Sequence, residues 1–255
     1  MEKASIAQRF SRALSTYDAA ATVQARMACR LLQLLRKTAG ERPPHSWRHV
    51  AEVGCGTGLL SRLLRQQLRP EKLWLNDLCP DAAHAFADWP EATFRAGDIE
   101  TLPLPDSLDL IISGATLQWM EQPALLLERC TAALRPGGRV ALSTFAPGTL
   151  AEVRHLTGQG LPYPEPDTWA GMLRHAGLRV EQCLTEEQCL TFNTPTDVLR
   201  HLQLTGVTAA GHYRWTPRRL EAFSHAYRHQ YSTPDGCVKL TFRPVYLIAQ
   251  KNIMP

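Results

Sequence analysis

The sequence predicts an α/β fold in which a doubly wound, mostly parallel sheet is covered by helices on both faces and joined by a helical cap. Short apolar runs alternate with helical patterns from residue 48 to residue 146. A glycine-rich turn at residues 54–58 joins the first of these runs to the helix that follows it. The length of 255 residues gives room for a full core and for additional elements.

Two helices are predicted before the first strand, over residues 4–15 and 18–38. In the second of them, Val23, Met27 and Leu31 recur at helical spacing. The segment ERPPHS ends this helical region.

The central part of the chain alternates between strand and helix. Strands are predicted at RHVAEV, KLWLND, ATFRAGD, LDLIIS and RVALSTFA, and helices at LLSRLLRQQL, PDAAHAFADW and PALLLERCTAAL. Repeated β-α-β units imply a parallel sheet with helices on both faces.

The pattern weakens in the last third of the chain. A helix is predicted near residues 167–176, a strand near 178–190 and a closing strand near 237–250. Residues 191–235 lie between these two strands, and this segment is too long for a simple hairpin connection. Helices are predicted within it near 195–205 and 216–229. We expect residues 1–45 and 191–235 to cap the active site of a single domain that spans residues 1–255.

Composition points to a cytoplasmic protein without membrane segments. Hydrophobic residues make up 44% of the chain, yet no apolar run approaches the roughly 20 residues that a membrane span needs. The start, MEKASIAQRFSRAL, lacks the apolar stretch of a secretory signal. The seven cysteines are scattered and never spaced C-x-x-C, which favours reduced thiols over disulfides or a metal site.

Charge is distributed unevenly along the chain. Residues 1–50 hold 9 Lys/Arg and 3 Asp/Glu, residues 51–190 hold 11 and 18, and residues 191–255 hold 8 and 3. If the two basic flanks converge in space, they offer a positive surface to an acidic partner, although solvated faces alone could produce the same counts. Nucleic acid is not expected as the partner, because the basic residues are dispersed and match no nucleic-acid motif.

The glycine turn indicates a ligand site at the carboxyl edge of the sheet. A strand that runs through a glycine turn into a helix places backbone N–H groups at this edge, and glycine removes the Cβ that would hold a ligand away. Glu52 precedes the turn, and a second acidic residue, Asp77, ends the next strand. The spacing is G-x-G-x-G with Leu59 where a dinucleotide fingerprint needs glycine, so a dinucleotide is not expected.

The spacing resembles motif I of the class I S-adenosylmethionine-dependent methyltransferases, whose fold is a mostly parallel seven-stranded sheet. By that resemblance Asp77 accepts hydrogen bonds from the ribose hydroxyls of S-adenosylmethionine, and Asp98 with Ile99 lies along the adenine. Glu52 supports the loop and is a candidate partner for the ammonium group of the cofactor. The cofactor-binding residues that the resemblance implies are Glu52, Gly54, Cys55, Gly56, Gly58, Asp77, Leu78, Asp98, Ile99, Ser113 and Gln118.

The segment SGATLQWM, residues 113–120, extends the resemblance. It implies that Ser113 and Gln118 face the cofactor and that Trp119 walls the pocket. Placement of Trp119 and Leu117 in the core is the alternative. LRPGGRVALST then matches the turn and the fifth strand of the same fold.

A narrower resemblance, over about residues 5–250, is to the malonyl-acyl-carrier-protein O-methyltransferases of biotin synthesis. It is carried by RFSRALSTYDAAATVQ, with Phe10, Arg12, Tyr17 and Gln24, by AGDIETLPLPDSLDLIISGATLQW, by RVALSTFAPGTLAEV and by LTFRPVYLIAQK. The chain departs from the family pattern where Gln203 stands in place of an expected basic residue.

The resemblance implies methylation of the free carboxylate of a malonyl group held on acyl carrier protein. That carboxylate is ionised at neutral pH, so alignment and electrostatic placement matter more than a general base. Once buried, it needs a partner, and arginine supplies a bidentate one. Arg12 and Arg243 are the candidates, with Tyr17 as a hydroxyl donor near the path of the methyl group.

Two alternatives remain open on the sequence. Another small-molecule or quinone-type methyltransferase would share the residues from Glu52 to Thr144 and differ in the cap. A non-catalytic S-adenosylmethionine-binding protein would keep the same cofactor site.

Overall fold

A seven-stranded sheet forms the centre of the protein in a computed structural model that describes residues 3–40, 46–207 and 215–253. Its strands are β1 (His49–Val53), β2 (Lys72–Asp77), β3 (Ala92–Ala96), β4 (Leu108–Gly114), β5 (Leu134–Phe145), β6 (Leu178–Thr185) and β9 (Pro244–Lys251), and a separate pair is formed by β7 (Gln188–Phe192) and β8 (Val238–Phe242). The order in the large sheet is β3-β2-β1-β4-β5-β9-β6. The strands from β3 to β5 are parallel, and β9 runs antiparallel to both of its neighbours. The mostly parallel seven-stranded sheet is confirmed.

Helices cover both faces of this sheet. They are α1 (Lys3–Ala20), α2 (Thr22–Ala39), α3 (Leu59–Gln67), α4 (Pro123–Ala133), α5 (Ala151–Thr157), α6 (Pro166–His175), α7 (Pro195–Leu204) and α8 (Pro217–Tyr231). Apolar residues of α2 and α3 pack on one face with Leu110, and those of α4 and α6 pack on the other with Ile111. Strands buried on both faces are apolar at consecutive positions, which explains the continuous apolar run in β4.

The two long strands expected near the end of the chain are each divided. Residues 178–190 form β6 and then the start of β7, and residues 237–250 form β8 and then β9. β7 and β8 pair with each other, outside the large sheet. Pro244 is the first residue of β9 and has no N–H to donate. The hydrogen bonds between β8 and β7 therefore end just before the point where β9 begins to pair with β5 and β6.

Two helices also differ from the sequence expectation. PDAAHAFADW forms a 3₁₀ helix at Pro80–Phe86. Pro90 disfavours helical backbone at Trp89, so the helical segment cannot continue through the end of this stretch. The first helix runs on to Ala20, and the break before α2 falls at Ala21, which is fully buried. The Gly/Thr/Ala stretch expected between α7 and α8 lies largely at residues 208–214, outside the described residues.

Within the described ranges, every helix is too short or too polar to span a lipid bilayer.

Leu247→Ala should lower the free energy of unfolding by about 2–5 kcal/mol. Leu247 is fully buried in β9 between β5 and β6, and its removal leaves a cavity. Leu125→Ala is the matched control, because that leucine is 51% exposed on α4, and it should change stability by less than about 0.5 kcal/mol. Denaturant unfolding followed by circular dichroism measures both. Equal effects would show that β9 is not part of the cooperative core.

Candidate functional site

A cavity lies at the carboxyl edge of the sheet. The loop after β1 and the ends of β2, β3 and β4 form its floor, and α1 and the start of α2 contribute the remaining wall. Most of the residues expected at a cofactor site line it: Glu52, Gly54, Cys55, Gly56, Asp77, Leu78, Asp98 and Ile99. Tyr17, which was expected near the path of the methyl group, lines it as well. Ligands of doubly wound folds bind at this edge.

The glycine loop is attached to the end of β2. Asp77 accepts the Gly56 N–H at 2.7 Å on Oδ2 and the Cys79 N–H at 2.8 Å on Oδ1. The Asn76 carbonyl accepts from Gly54 N at 2.8 Å and from Cys55 N at 2.9 Å. Burial raises the pKa of Asp77, and the two N–H groups oppose that effect because they stabilise the carboxylate.

The three glycines of the loop are needed for different reasons. All three have positive φ, but a Cβ at Gly54 would collide with the side chain of Thr116, and one at Gly58 would lie 3.0 Å from the ring of Phe86. A Cβ at Gly56 would meet no protein atom within 4 Å. Of the three, only Gly56 both lines the cavity and has open space where a Cβ would lie.

Two buried oxygens in the cavity have no hydrogen-bond partner in the described part of the chain: Glu52 Oε2 and Gln24 Oε1. The two residues are 1% and 9% exposed. Burial raises the pKa of Glu52 to about 8, and Asp77 adds to the shift, while Ser61 and Arg62 oppose it. Gln24 was not expected in the site, although it belongs to the N-terminal pattern that carried the narrower resemblance.

These features fit an adenosyl cofactor with an amino-acid tail. The unpaired oxygens suit an ammonium group, Asp77 lies where hydroxyl donors can reach a carboxylate, and Gly56 leaves the space open. Burial raises the pKa of the Cys55 thiol well above its usual range, so Cys55 is an inert wall rather than a nucleophile.

The part of the cavity lined by Asp98 and Ile99 contains an ion pair that the sequence did not indicate. Lys3 Nζ lies 2.5 Å from Asp98 Oδ2 and also contacts Glu100. The other oxygen of Asp98 accepts the Glu100 N–H at 3.0 Å. Ile99 is 3% exposed and provides an apolar surface beside this pair.

Gly58, Ser113 and Gln118, which were expected at the cofactor site, are not among the lining residues, and the two polar side chains make contacts within the protein. The Ser113 hydroxyl donates to the Val53 carbonyl at 2.8 Å. The Gln118 amide donates to the Ala115 carbonyl at 2.6 Å and accepts from Thr144 Oγ1 at 3.1 Å. Ala115 has a φ of 52°, so Gln118 braces a left-handed turn that borders the cavity.

One face of α1 lies along the cavity and carries Phe10, Leu14 and Tyr17. The ring of Phe10 packs edge-on against Trp119, with 5.6 Å between centroids. Burial raises the pKa of Tyr17, so its hydroxyl stays protonated and can only donate or accept as a neutral group.

Polar contacts tie α1 to the rim of the cavity. Besides the Lys3 ion pair, Ser11 Oγ donates to Asp81 Oδ2 at 2.5 Å, and Asp18 pairs with Arg62 at 2.7 Å. Each is partly exposed and adds little stability alone. Together they fix the position of the helix.

Neither candidate arginine lines the cavity. Arg12 is exposed on α1. Arg243 lies between β8 and β9 at the carboxyl edge, and its Nη1 donates to the Pro147 carbonyl at 2.9 Å. Its backbone carbonyl accepts from Ala146, directly after β5. Gln203 is exposed on α7.

The chain is similar to known methyltransferases in sequence. A family model described as methyltransferase domain matches residues 51–142. A malonyl-[acyl-carrier protein] O-methyltransferase of Bacteroides fragilis is 40% identical over 97% of this chain, and the chain spans 50% of that relative's length. The protein of the same name from Porphyromonas gingivalis is 39% identical over 96% of this chain and 94% of its own length.

Solved structures show the same fold at low sequence identity. The YcgJ protein of Bacillus subtilis superposes with a TM-score of 0.64 at 17% identity, over 88% of this chain and 98% of its own. An S-adenosylmethionine-dependent methyltransferase of Mesorhizobium loti superposes with a TM-score of 0.52 at 18% identity, over 84% and 96%.

Gly56→Val should abolish or strongly weaken binding of S-adenosylmethionine while leaving the protein folded. The branched side chain enters the open space of the cavity. Gly177→Val is the matched control, because Gly177 also has positive φ and no atom within 4 Å of an added Cβ but lies in the turn before β6. Each substitution carries a backbone strain of roughly 1–2 kcal/mol.

Calorimetric titration measures affinity for both variants, and thermal unfolding checks that the two are destabilised to a similar extent. Wild-type affinity in Gly56→Val would exclude this loop from the cofactor site.

Proposed function

The chain belongs to the malonyl-[acyl-carrier protein] O-methyltransferase family, and we propose that it transfers a methyl group from S-adenosylmethionine to the free carboxylate of a malonyl group held on acyl carrier protein. The product is the malonyl methyl ester that, in this family, starts pimeloyl synthesis for biotin. The observation that carries the substrate assignment is the 39% identity over 96% of the chain. That similarity includes the helices before residue 51, which the methyltransferase-domain match does not.

The cofactor is S-adenosylmethionine, and different lining residues contact different parts of it. Asp77 accepts from the ribose hydroxyls, Ile99 and Asp98 flank the adenine, and the loop around Gly56 lies against the methionine part. When bound, the cofactor supplies an electrophilic methyl group on a sulfonium. Phe10, Leu14 and Trp119 form an apolar wall that excludes water, which strengthens electrostatic interactions in the site.

The methyl acceptor needs placement rather than activation. A malonyl carboxylate is ionised at neutral pH, so no general base has to remove a proton. A buried carboxylate needs charged or hydrogen-bonding partners, because its desolvation costs several kcal/mol. Arg243 does not line the cavity, but it is half-buried at the carboxyl edge beside the end of β5, and we assign it as the partner of the carboxylate on the basis of that position. Tyr17, whose hydroxyl stays protonated, donates a hydrogen bond near the methyl path.

The segments 1–45 and 191–235 form the cap of one methyltransferase unit in this proposal. Their exposed basic residues include Arg12, Arg200, Arg218 and Arg228. Acyl carrier proteins are acidic, so these residues suit recruitment of the carrier. Because Arg12 is exposed on α1, whereas Arg243 is half-buried at the carboxyl edge of the sheet, we assign Arg12 to this surface rather than to the malonyl carboxylate.

Malonyl-carrier should gain the mass of one methylene, and the same carrier bearing acetyl should gain none. Only malonyl presents a carboxylate to the sulfonium methyl. Intact-protein mass spectrometry after incubation with S-adenosylmethionine measures both. Cofactor binding without any methyl ester would overturn the substrate assignment and favour another acceptor or a non-catalytic role.

Arg243→Ala should lower kcat/KM for malonyl-carrier by about 10- to 100-fold and leave the dissociation constant of S-adenosylmethionine nearly unchanged. The lost contact is to the substrate and not to the cofactor. Arg174→Ala on α6 is the control, because Arg174 is exposed and lies away from the cavity. An equal effect of both variants, or a parallel loss of cofactor affinity in Arg243→Ala, would contradict the role of Arg243 as carboxylate partner.

A further inference from the structure

The segment GTLAE, residues 148–152, is bonded to the crossover between β8 and β9. It follows β5 and leads into α5, and it belongs to the part of the sequence that carries the narrower resemblance. Thr149 Oγ1 accepts the backbone N–H of Arg243 at 3.0 Å, and the Leu150 N–H donates to the Thr241 carbonyl at 2.7 Å. Residues 241–243 are thus held by backbone and side-chain contacts to a single short segment.

Glu152 fixes Thr241 with a buried carboxylate. Its Oε1 accepts from Thr241 Oγ1 at 2.6 Å, and its Oε2 accepts from the Thr241 N–H at 3.1 Å. Glu152 is 2% exposed, and a carboxylate buried to this extent loses the hydration that it has in water. The crossover is therefore held by one of the costlier groups that a protein can bury, which indicates that the position of residues 241–243 matters.

Two residues of the segment have backbone conformations that are unfavourable for most side chains. Leu150 has a φ of 55°, which is strained in a residue with a Cβ. Gly148 has a φ of 94°, and a Cβ added there would lie 2.8 Å from Arg243 Cδ. The glycine therefore leaves the room that the stem of the arginine occupies.

The guanidinium of Arg243 is held through one of its three nitrogens. Nη1 donates to the Pro147 carbonyl at 2.9 Å, whereas Nε and Nη2 have no hydrogen-bond partner within residues 3–40, 46–207 and 215–253. The Nε–Nη2 edge is the one that Arg48 presents to both oxygens of Glu71, at 2.7 Å each. The bond to Pro147 thus sets the rotation of the guanidinium and leaves a carboxylate-binding edge free.

We propose that the segment GTLAE is a positioning element for Arg243, which it holds in one orientation with the Nε–Nη2 edge free for the carboxylate of the methyl acceptor. The proposal rests on the proposed function, in which Arg243 binds that carboxylate. A segment that only joined β8 to β9 would need the backbone bonds. It would need neither the space at Gly148 nor the guanidinium bond to Pro147, because these two contacts act on the arginine side chain alone.

Gly148→Ala tests the space beside the arginine. The added Cβ requires Arg243 to move, so kcat/KM for malonyl-carrier should fall by about 5- to 50-fold, while the dissociation constant of S-adenosylmethionine should change by less than about twofold. Gly177→Ala is the matched control, because Gly177 also has positive φ and a Cβ there would meet no atom within 4 Å. Its backbone strain is comparable, and kcat/KM should not change.

Thr149→Val is a second variant, which removes the acceptor of the Arg243 N–H without adding bulk and should also lower kcat/KM. Thr149→Ser keeps the hydroxyl and should retain activity close to that of the wild type. In the Arg243→Ala background, Gly148→Ala and Thr149→Val should each lower kcat/KM by less than about twofold further. Thermal unfolding verifies that every variant is folded at the assay temperature.

The orientation of Arg243 can also be observed without turnover. In ¹⁵N–¹H correlation spectra, the Nε–H signal of Arg243 is the one that Arg243→Ala removes. Gly148→Ala and Thr149→Val should shift this signal, because they displace the side chain or the backbone that carries it. Gly177→Ala should leave the signal in place.

Unchanged kcat/KM in both Gly148→Ala and Thr149→Val would overturn the proposal. Undiminished losses in the Arg243→Ala background would also overturn it, because the segment would then act on the fold and not through the arginine. If the wild type forms no ester on malonyl-carrier, the proposed function is contradicted, and the Arg243 signal decides the positioning role separately. A shift of that signal in Gly148→Ala supports the role, and an unchanged signal overturns it.

Discussion

The hydrogen bond from Gly56 N–H to the Asp77 carboxylate is the constraint on which the site depends. It joins the left-handed loop after β1 to the end of β2 at 2.7 Å, and the Asn76 carbonyl reinforces the junction with two further N–H groups. The loop thereby stays open toward the cavity and directs the chain into α3 at Gly58. Without these three bonds, the glycine segment would have many conformations and no fixed surface for a ligand.

The N-terminal helices α1 and α2 form the part of the cavity wall that the sheet edge does not supply. The sheet edge supplies acidic and backbone groups, but α1 and α2 add the apolar wall and the buried amide of Gln24. Lys3, Ser11 and Asp18 hold α1 over the cavity through partly exposed contacts that are individually weak. A helix held in this way can form the site without dominating the stability of the fold.

The order of strands and helices up to β5 followed from the sequence, because continuous apolar runs and helical spacing are local signals. The divided strands were not predictable in the same way. β6 pairs with β9 in the large sheet, whereas β7 pairs with β8 outside it. This difference in pairing partner, and not a difference in composition, divides the predicted strand into two. Residue spacing in the sequence correctly placed the glycine loop and Asp77 at the cavity. It did not reveal that the side chains of Ser113 and Gln118 bond to the backbone and to Thr144 and do not line the cavity.

The sequence by itself determined the fold class, the glycine loop and the nature of the groups at the sheet edge, since these depend on short segments with fixed backbone requirements. The tertiary structure decided which side chains share the cavity. Lys3 meets Asp98 across 95 residues of chain, and Gln24 and Glu52 reach the same cavity from a helix and a strand. No local pattern encodes such distances, because they arise from how helices pack on the sheet.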